Sequence, residues 1–531
     1  MVSLMPAPKT KTPESRQITQ TTETEICLAG PFTLALLRKS QWFSEVKPIR
    51  QQLRAVYFDT PTADIAKAGA GLRIRRESGS WVQTLKVETA SGSRIEYSHI
   101  LKQKTLYPLP EIAKEGLPTA AALKAHRLSR AAILALKKPS SLQPLVEVRV
   151  TRQQWLLHFE QSHIAVALDI GSVRRPSQPP PAGMSNTAPQ DEERLDINEL
   201  ELELMAGTSQ GLWRLAAALI GWLPPLGFGL EPRSKAERGL AWAYPALAEA
   251  ASRTARQQTR RKLTAQDRSL GTVLGHHLKA AVLTLSYRII QARSRIDPED
   301  THQARVALRQ IRTLLKLLVS AGFPRLVEGL LPRCAEVADA LGELRDLDVV
   351  IDALVQPLVA RLPKDPALRA MAKGVEQYRE AIRKALRQHL AEREIPLLLF
   401  ALGQLSEEMP KTHTVMSSEE FARCEARRLR KRVARRERIS ATEPSAQADH
   451  RLRLAHKALR YAIPILQDLN APQDLKAWAK ASARAQETLG LAQDKATARK
   501  TITNALRASP MDATMQARAL AVIEGFLLAQ Q

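Results

Sequence analysis

The sequence has few cysteines, and none of them is placed for a disulfide or a metal site. Cys27, Cys334 and Cys424 are isolated and odd in number, and no CxxC pair occurs. This excludes a disulfide-rich secreted scaffold and favours a reducing, cytoplasmic environment. Long apolar runs are also absent, since no stretch approaches the roughly 18 apolar residues of a membrane span. Residues 1–20 are polar and rich in proline, which predicts a disordered leader rather than a signal peptide.

Aromatic residues are scarce, at 4% of a chain of 531 residues, and acidic residues are outnumbered by basic ones. The formal net charge is +25, and the basic excess is spread over both halves of the chain. A polyanionic partner is therefore favoured for both halves, and nucleic acid, a membrane surface or polyphosphate would satisfy it. Few aromatics argue against single-stranded nucleic acid, whose bases proteins usually stack on aromatic rings. Duplex DNA stays open, because it can be held through phosphates alone.

The chain divides into a strand-rich first half and a helical second half. Short runs with period-two alternation predict strands between Thr22 and Leu204. After about residue 248 the apolar spacing is helical, with boundaries at prolines such as Pro298 and Pro363. We therefore predict an α+β protein with two domains. The expected divisions are a leader at 1–20, a strand domain at 21–247, a linker at 248–267 and an all-helical domain at 268–529.

Acidic residues alternate along two predicted strands. Glu23 and Glu25 lie two residues apart, as do Glu199, Glu201 and Glu203. Because alternate strand residues face the same side, each set presents its carboxylates on one face. Such oxygen ligands suit a hard divalent cation such as Mg²⁺. A single acid pair is also common on a solvated strand face, but three stacked carboxylates repel one another and require cations nearby.

Basic residues occur on the neighbouring predicted strands. Arg73 and Arg75 alternate on one strand, and Lys86 and Arg94 lie on the next two. Further cations follow along the chain at Arg152, Lys235 and Arg238. If the strands close into a barrel, these side chains line its inside, where cations would hold phosphates and carboxylates would hold a metal ion.

These motifs resemble the CYTH, or triphosphate tunnel metalloenzyme, family over about residues 22–245. The matching segments, in the family's order, are Glu23-Thr-Glu25, Tyr57-Phe58-Asp59-Thr60-Pro61, Gly71-Leu72-Arg73-Ile74-Arg75, Gln83-Thr84-Leu85-Lys86, Thr151-Arg152, Leu168-Asp169, Glu199-Leu-Glu201-Leu-Glu203 and Ser234-Lys235. The resemblance implies a closed antiparallel barrel with flanking helices that hydrolyses a triphosphate with Mg²⁺ or Mn²⁺. It implies metal ligands at Glu23, Glu25, Asp169, Glu201 and Glu203. It implies triphosphate binding by Arg73, Arg75, Lys86, Arg94, Arg152, Lys235 and Arg238, with catalytic roles for Lys86, Arg152 and Lys235.

One position departs from the family pattern. The family's N-terminal signature is ExExK, and Cys27 stands where the Lys is expected. A thiol cannot replace an ammonium in placing a phosphate or stabilising its leaving oxygen. Binding could rest on the remaining cations, whereas hydrolysis is the activity that this change puts in question.

The helical half contains an internal repeat. His302, Arg305, Arg309 and Arg312 recur as His450, Arg453, Lys457 and Arg460 at a constant offset (450 − 302 = 148). The same offset relates Lys279 to Arg427, Leu341-Gly342 to Leu489-Gly490, and Asp346 to Asp494. One offset across three predicted helices indicates two similar helical bundles around a pseudo-twofold axis.

The repeated segments carry basic stripes. His302, Arg305, Arg309, Arg312 and Lys316 are spaced 3, 4, 3 and 4, which places them on one helical face. A further stripe includes Arg427, Arg430 and Lys431. A solvated face usually mixes charges of both signs, whereas these stripes contain little acid, so we favour anion binding. Metal binding by His276, His302 or His450 finds no support in their spacing, and hydrogen bonding to phosphate is the preferred hypothesis.

Over about residues 268–528 these features resemble the CHAD, or conserved-histidine α-helical, domain. The matching pieces are His302 with Arg305, Arg309 and Arg312, Leu344-Arg345-Asp346 with Asp348, His450 with Lys457, Arg460 and Tyr461, and Leu489-Gly490 with Asp494. The resemblance implies a basic channel that binds inorganic polyphosphate. Its expected contacts are His276, Lys279, His302, Arg305, Arg309, Arg312, Lys316, Arg427, Arg430, Lys431, His450, Arg453, Lys457 and Arg460. CYTH followed by CHAD in one chain is a bacterial arrangement.

Three functional hypotheses remain at this point. The chain is a polyphosphate-binding protein with a triphosphatase tunnel, a binding protein whose tunnel is impaired at Cys27, or a nucleic-acid binder. We prefer the first, with triphosphate and polyphosphate as partners, no membrane partner, and a cytoplasmic location that allows association with polyphosphate granules. The sequence does not indicate an oligomeric state.

Overall fold

The computed structural model describes residues 19–77, 79–88, 94–102, 112–126, 128–176, 194–225, 227–251, 268–294, 297–412, 416–470, 475–507 and 511–529. The chain forms two compact units, Met1–Leu263 and Thr264–Gln531. Most of the predicted leader and linker lies outside the described residues, although residues 19 and 20 belong to the first strand. No helix of the described part is both long enough and apolar enough to cross a membrane.

A ten-stranded antiparallel sheet forms the first unit. Its strands are β1 (Thr19–Glu23), β2 (Glu25–Ala29), β3 (Ile49–Asp59), β4 (Ala70–Glu77), β5 (Ser80–Glu88), β6 (Arg94–Leu101), β7 (Gln143–Phe159), β8 (Ser162–Arg174), β9 (Leu195–Ala206) and β10 (Gly229–Leu230). Their hydrogen-bonded order is β1-β6-β5-β4-β3-β7-β8-β9-β2-β10. The α+β class and the antiparallel arrangement predicted from the alternating pattern are confirmed.

Closure into a barrel was predicted, whereas the order of the described strands is open, with β1 and β10 at its ends. β1 pairs with β6, while β2 pairs with β9 and β10. A single residue, Thr24, separates β1 from β2, and its carbonyl accepts a hydrogen bond of 2.9 Å from Leu204 N on β9. The N-terminal segment thus passes from one end of the sheet towards the other without a ladder between β1 and β2.

The two faces of the sheet differ because side chains alternate along each strand. One face is apolar, and Leu72, Ile74 and Leu85 are buried there against Leu123 and Ile133 from two helices. The helices of this unit are α1 (Leu34–Leu37), α2 (Asp64–Lys67), α3 (Ala120–Ala125), α4 (Arg130–Lys137), α5 (Ser209–Trp222) and α6 (Lys235–Ala243). The opposite face carries the charged residues.

The second unit is helical. Its helices are α7 (Leu270–Ser294), α8 (Pro298–Ser320), α9 (Leu330–Val350), α10 (Gln356–Arg361), α11 (Pro366–Ala391), α12 (Glu394–Glu408), α13 (Ser418–Thr442), α14 (Ala446–Asp468), α15 (Leu475–Arg507) and α16 (Ala513–Ala529). A π-helical turn, Ile351–Val355, joins α9 to α10. Apolar positions at helical spacing form its core, for example Leu308, Ile311 and Leu315 along α8.

The repeat in the sequence is also a repeat of helix boundaries. α7 and α13 both have 25 residues, and α8 and α14 both have 23. α13 begins and ends 148 residues after α7, and α14 begins and ends 148 residues after α8 (446 − 298 = 148). Gly322 and Asn470, which are equivalent positions, have φ of 95° and 60° just after α8 and α14. Glycine and asparagine favour this left-handed conformation, so even the helix stop is repeated.

Candidate functional site

The register of the sheet gathers the predicted charges on one face, here called the charged face. Residues directly opposite each other on paired strands point to the same side. Arg152 lies opposite Asp169, Asp169 opposite Glu199, and Glu25 opposite Glu203. By this register and strand alternation, the charged face carries Glu23, Glu25, Arg73, Arg75, Lys86, Arg94, Arg152, Asp169, Glu199, Glu201 and Glu203.

Three acids and three cations of this region form a compensated group, here called the paired cluster. It consists of Asp169, Glu199, Glu201, Arg152, Lys235 and Arg238. Arg152 donates from Nε and Nη2 to the two oxygens of Asp169 at 2.8 and 2.6 Å. Lys235 Nζ lies 2.7 Å from Asp169 Oδ2 and 2.6 Å from Glu201 Oε1. One oxygen from each acid lies within 4.8 Å of the others, yet all three acids already contact cations.

These contacts fix the protonation states of the paired cluster. Burial acts to raise the pKa of Glu201, but Lys235 and Arg152 outweigh it and hold that pKa well below its usual range. Burial acts to lower the pKa of Lys235, but Glu201, Glu199 and Asp169 outweigh it and raise that pKa well above its usual range. The carboxylate of Glu201 is therefore ionised and the amine of Lys235 is charged.

Helix α6 brings Lys235 and Arg238 to the charged face. A capping box fixes its start, because Ser234 Oγ accepts from Glu237 N while Glu237 accepts from Ser234 N at 2.7 Å. A Cβ added at Gly239 would lie 2.7 Å from Val173 Cγ1, so this glycine allows α6 to lie directly on β8. Close packing one turn into the helix thus positions the two cations beside the acids.

A second group, the acidic cluster, consists of Glu23, Glu25 and Glu203. Lys86 Nζ binds both oxygens of Glu23 at 2.7 and 2.6 Å, and Arg94 binds Glu25 at 2.5 Å. Glu203 forms no ion pair within the described residues. Burial, followed by the charge of Glu23, raises the pKa of Glu203 to about 7, and the same two causes raise the pKa of Glu25. Negative charge therefore exceeds nearby positive charge here.

The remaining predicted cations line the charged face between these groups. Arg73 Nη2 lies 3.7 Å from Glu96 Oε1, and Lys86 Nζ lies 3.3 Å from Glu96 Oε2. Arg75 pairs with Glu77. These cations keep 11% to 29% of their side chains exposed, Arg94 being the most accessible. An incoming anion can thus reach them by displacing carboxylate partners.

Carboxylate oxygens are the ligands that a hard divalent cation prefers, and both the paired cluster and the acidic cluster offer them. In the paired cluster a metal ion would have to displace Lys235 and two arginines. In the acidic cluster, burial and then repulsion from Glu23 raise the pKa values of Glu203 and Glu25, and a cation would relieve that repulsion. The oxygens of Asp169, Glu199 and Glu201 lie close enough together for one ion, but Asp169, which was predicted as a metal ligand, also contacts Arg152 and Lys235, so the acidic cluster has fewer cations to displace.

In the helical unit, the basic stripes of α8 and α14 approach each other. Burial, followed by the charges of Arg453, Arg309 and Arg305, lowers the pKa of Lys457 to about 8. Arg309 and Lys457 have no carboxylate partner in the described part of the chain. Arg305 does have one, since it donates to Asp346 Oδ1 at 3.0 Å and to Gly342 O at 3.2 Å. Cations from both repeats therefore share one region.

Other predicted contacts lie around this region. Burial, followed by the charges of Arg312 and Arg432, lowers the pKa of Lys316 on α8. Arg432 belongs to α13, so a cation of that helix acts on the same region. Burial and then Arg345 lower the pKa of His302. The α13 residues Arg427, Arg430 and Lys431 are exposed, as are His450 and Arg460 on α14, while Arg453 is half-buried. Arg430 stacks over Trp478 at 4.5 Å.

One predicted contact, Lys279, pairs with an acid, and another, His276, lies beside a histidine that does. Lys279 Nζ pairs with Glu407 Oε1 of α12 at 2.9 Å. The ring of His276 lies 6.0 Å from that of His277, and His277 Nε2 lies 2.8 Å from Asp468 Oδ2. The structure therefore ties this part of α7 to α12 and α14 through acids.

Comparison with known families decides what these two units are. A family model described as a CYTH domain matches residues 29–239, and one described as a CHAD domain matches residues 276–503. The chain contains a CYTH domain followed by a CHAD domain. The resemblances drawn from the sequence motifs are thereby confirmed.

Individual relatives cover parts of the chain. Over 164 residues it is 33% identical to the inorganic triphosphatase of Haemophilus influenzae, a match that spans 31% of this chain and 39% of that relative. A solved CHAD domain from the plant Ricinus communis is 27% identical, with a TM-score of 0.42, over 51% of this chain and 90% of that one. A putative adenylyl cyclase from Hippeastrum with a dominant triphosphatase activity is 18% identical, with a TM-score of 0.26, over 42% and 98%.

Within the CYTH domain, Cys27 lies on the charged face directly opposite Glu201. Burial and then Glu199 and Glu201 raise the pKa of its thiol well above the usual range, so the thiol is neutral. Lys235 and Arg152 hold Glu201 from the other side. Cys27, which stands where the family has a lysine, is therefore next to the Glu201 carboxylate. Lys235 and Arg152 already contact that carboxylate.

Two acids of the charged face were assigned no role by the family resemblance, although Glu199 belongs to the acidic set that strand alternation places on one face. Glu199 is 1% exposed and binds Lys235 and Arg238, while Glu96 contacts Lys86 and Arg73. Both stand at alternate positions beside predicted residues, Glu199 before Glu201 and Glu96 after Arg94. Strand alternation was thus the signal that could have included them.

Proposed function

We propose that the CYTH domain binds a divalent cation together with a triphosphate on the charged face and hydrolyses the triphosphate. The observation that carries this proposal is the division of that face. The acidic cluster has too few cations around it, while Arg73, Arg75, Lys86 and Arg94 are accessible to an anion. In a metal–triphosphate complex, the metal ion would supply positive charge to the acidic cluster, and the triphosphate would supply negative charge to the accessible cations. The identity with an inorganic triphosphatase supports this choice of substrate.

Glu23, Glu25 and Glu203 are the proposed ligands of Mg²⁺ or Mn²⁺, with Glu201 beside them. When bound, such an ion neutralises charge on phosphoryl oxygens. Lys86, Arg152 and Lys235 then act on the oxygens where charge develops as the phosphate bond breaks, and the raised pKa keeps Lys235 charged. Asp169 and Glu199 serve as positioning residues, because they hold Arg152, Lys235 and Arg238 in place.

The proposal also includes closure of the sheet into a tunnel. Its domain limits are 21–247 for the CYTH domain and 268–529 for the CHAD domain. Closure is supported by a contact between the two ends of the strand order, from Arg94 on β6 to Glu25 on β2. Lys86 on β5 contacts Glu23 on β1 at one of these ends, directly before Thr24 and Glu25. Enclosure would exclude water from the triphosphate and strengthen each ion contact.

We also propose that the CHAD domain binds inorganic polyphosphate between α8 and α14. Arg309 and Lys457 lie in one region without a carboxylate partner among the described residues, and burial, followed by repulsion from Arg453 and Arg309, lowers the pKa of Lys457. A phosphate chain carries a charge at each unit and no bases, so it would relieve this repulsion through many ion contacts. A cytoplasmic site near polyphosphate granules is the expected setting.

Phosphate release from triphosphate in Mg²⁺ tests the enzymatic proposal. We expect metal-dependent release by the full chain and a loss of about a hundredfold in Arg152→Ala, in line with removal of one transition-state contact. Arg50→Ala is the matched control, since Arg50 is an exposed arginine on the other face of β3. Equal rates in Arg152→Ala and the wild type would reject the proposed site.

The neutral thiol of Cys27 favours one alternative, a CYTH domain that binds triphosphate without turning it over. Saturable, Mg²⁺-dependent triphosphate binding without phosphate release would establish it. Competition between polyphosphate and duplex DNA at matched salt addresses the nucleic-acid hypothesis, because only a specific polyphosphate site would prefer the chain without bases.

A further inference from the structure

Two histidines on the charged face belong to neither the paired cluster nor the acidic cluster. The β7–β8 register continues in steps of two from Arg152 and Asp169 to His158 and His163, which are directly opposite each other. His158 lies six positions after Arg152, or about 20 Å along the strand. His163 lies two positions before Ala165, the residue opposite Glu203, or only about 7 Å away along the strand. The pair therefore lies beyond the acidic cluster, towards the β7–β8 hairpin turn.

The imidazoles are close together and make no hydrogen bonds within the described part of the chain. Their ring centroids are 4.9 Å apart with an interplanar angle of 55°. Neither ring bonds to another group in the part of the chain that the structure describes, and His158 Nδ1 is buried without a partner. Both side chains are half-buried rather than enclosed in the core. The two rings thus lie side by side, and His158 Nδ1 is a buried nitrogen without a partner among the described residues.

The hairpin that carries these rings is held firmly. Ser162 Oγ accepts a hydrogen bond from Thr208 N at 3.1 Å and donates to Thr208 O at 3.3 Å. At the turn, Glu160 has a φ of 52° and pairs with Arg214 of α5 at 3.2 Å. The backbone therefore fixes the separation of the two histidines without help from their own side chains.

We propose that His158 and His163 form a binding site for an imidazole-preferring transition-metal ion, such as Zn²⁺, Cu²⁺ or Ni²⁺. Two imidazoles at this spacing suit these ions, whereas Mg²⁺ prefers oxygen ligands and belongs at the acidic cluster. Water or phosphate oxygens complete the coordination, since no carboxylate of the described residues joins the pair. The site does not depend on triphosphate hydrolysis, although an ion there would face any anion that extends beyond Glu203.

Calorimetric titration of the full chain with Zn²⁺ in excess Mg²⁺ tests this site, because Mg²⁺ occupies the carboxylates. We expect His158→Gln and His163→Gln each to lose the same single binding event, while His99→Gln keeps it. His99 is a half-buried histidine of β6 whose side chain makes no hydrogen bond to the residues that the structure describes, which makes it a matched control. Unchanged titrations in both variants, or an equal loss in His99→Gln, would overturn the proposal.

Spectroscopy on the unaltered protein keeps the test independent of folding in the variants. Cu²⁺ added at one equivalent should show electron paramagnetic resonance splitting from two imidazole nitrogens. Splitting from fewer than two nitrogens would reject the paired site, whatever the variants do.

Discussion

At the residue scale, Cys27 and Glu201 face each other across β2 and β9. Replacing the neutral thiol with an ammonium in Cys27→Lys should raise triphosphate hydrolysis by roughly tenfold or more, about the contribution of one electrostatic contact to a transition state. The measurement is the rate of phosphate release at saturating Mg²⁺ and triphosphate. Cys27→Met is the control, since it adds length without charge and should leave the rate near that of the wild type.

An equal gain in Cys27→Lys and Cys27→Met would show that side-chain length, and not charge, limits the reaction. No gain in a wild type that already turns over quickly would mean that Lys235 or Arg152 supplies the missing cation.

Asp169 is the second informative residue, because it is fully buried and contacts both Arg152 and Lys235. Asp169→Asn removes a buried charge from its cations and should destabilise the chain by about 3 kcal/mol. Urea unfolding measures the change. Glu160→Gln breaks the exposed pair with Arg214 and should cost less than about 1 kcal/mol. Similar costs for both changes would contradict the structural role of Asp169.

At the element scale, the repeat allows one bundle to be compared with the other. His456, Ser482 and Glu437 form a polar group in which His456 Nδ1 lies 3.2 Å from Ser482 Oγ and Nε2 lies 3.7 Å from Glu437. Moving back by the repeat offset gives Leu308, Cys334 and Ile289, all buried in the core. His456 is 3% exposed, so α14 carries a buried histidine where α8 carries a leucine.

This difference predicts a pH-dependent stability. Burial lowers the pKa of His456 below 6.5, and Glu437 only partly opposes it. Above pH 6.5 the ring of His456 is neutral in both the folded and the unfolded chain, and it costs no stability. As the pH falls below that value, the unfolded chain binds the proton more readily than the folded chain, so the folded state loses stability. His456→Leu should remove this part of the slope, and at pH 8 it should cost about 1 kcal/mol because the buried Ser482 Oγ loses the ring nitrogen it contacts.

Urea unfolding of the full chain at pH 8 and pH 5.5 measures both effects. His450→Gln alters an exposed histidine of the same helix and should keep the wild-type slope. An unchanged pH dependence in His456→Leu would show that another group is responsible.

The elements also show what could be predicted from the sequence. Strand alternation placed Glu23, Glu25 and Lys86 on one face, because the period of two follows from backbone geometry. The pairing of Lys235 with Asp169 could not be predicted, since it depends on the docking of α6 on β8. The same limit applies to Lys279, whose partner Glu407 lies on α12, outside the repeated helix pairs.

At the scale of the whole molecule, the net charge of +25 raises the question of whether polyphosphate binding is specific or a response to bulk charge. Arg309→Glu with Lys457→Glu should weaken binding of long-chain polyphosphate far more than Arg369→Glu with Lys384→Glu. Both pairs make the same change in net charge, but Arg369 and Lys384 are exposed on α11. Calorimetric titration at several salt concentrations measures the affinities, and wild-type binding should fall steeply with salt. Equal weakening in the two variants would reject a specific channel.

The central claim is that the charged face of the CYTH domain separates into a metal site and an anion site. Anomalous diffraction from crystals of the full chain grown with Mn²⁺ and triphosphate tests it most directly. The account predicts a manganese peak among Glu23, Glu25 and Glu203, with the triphosphate against Arg73, Arg75, Lys86 and Arg94. A manganese peak among Asp169, Glu199 and Glu201 instead, with Lys235 displaced, would contradict it.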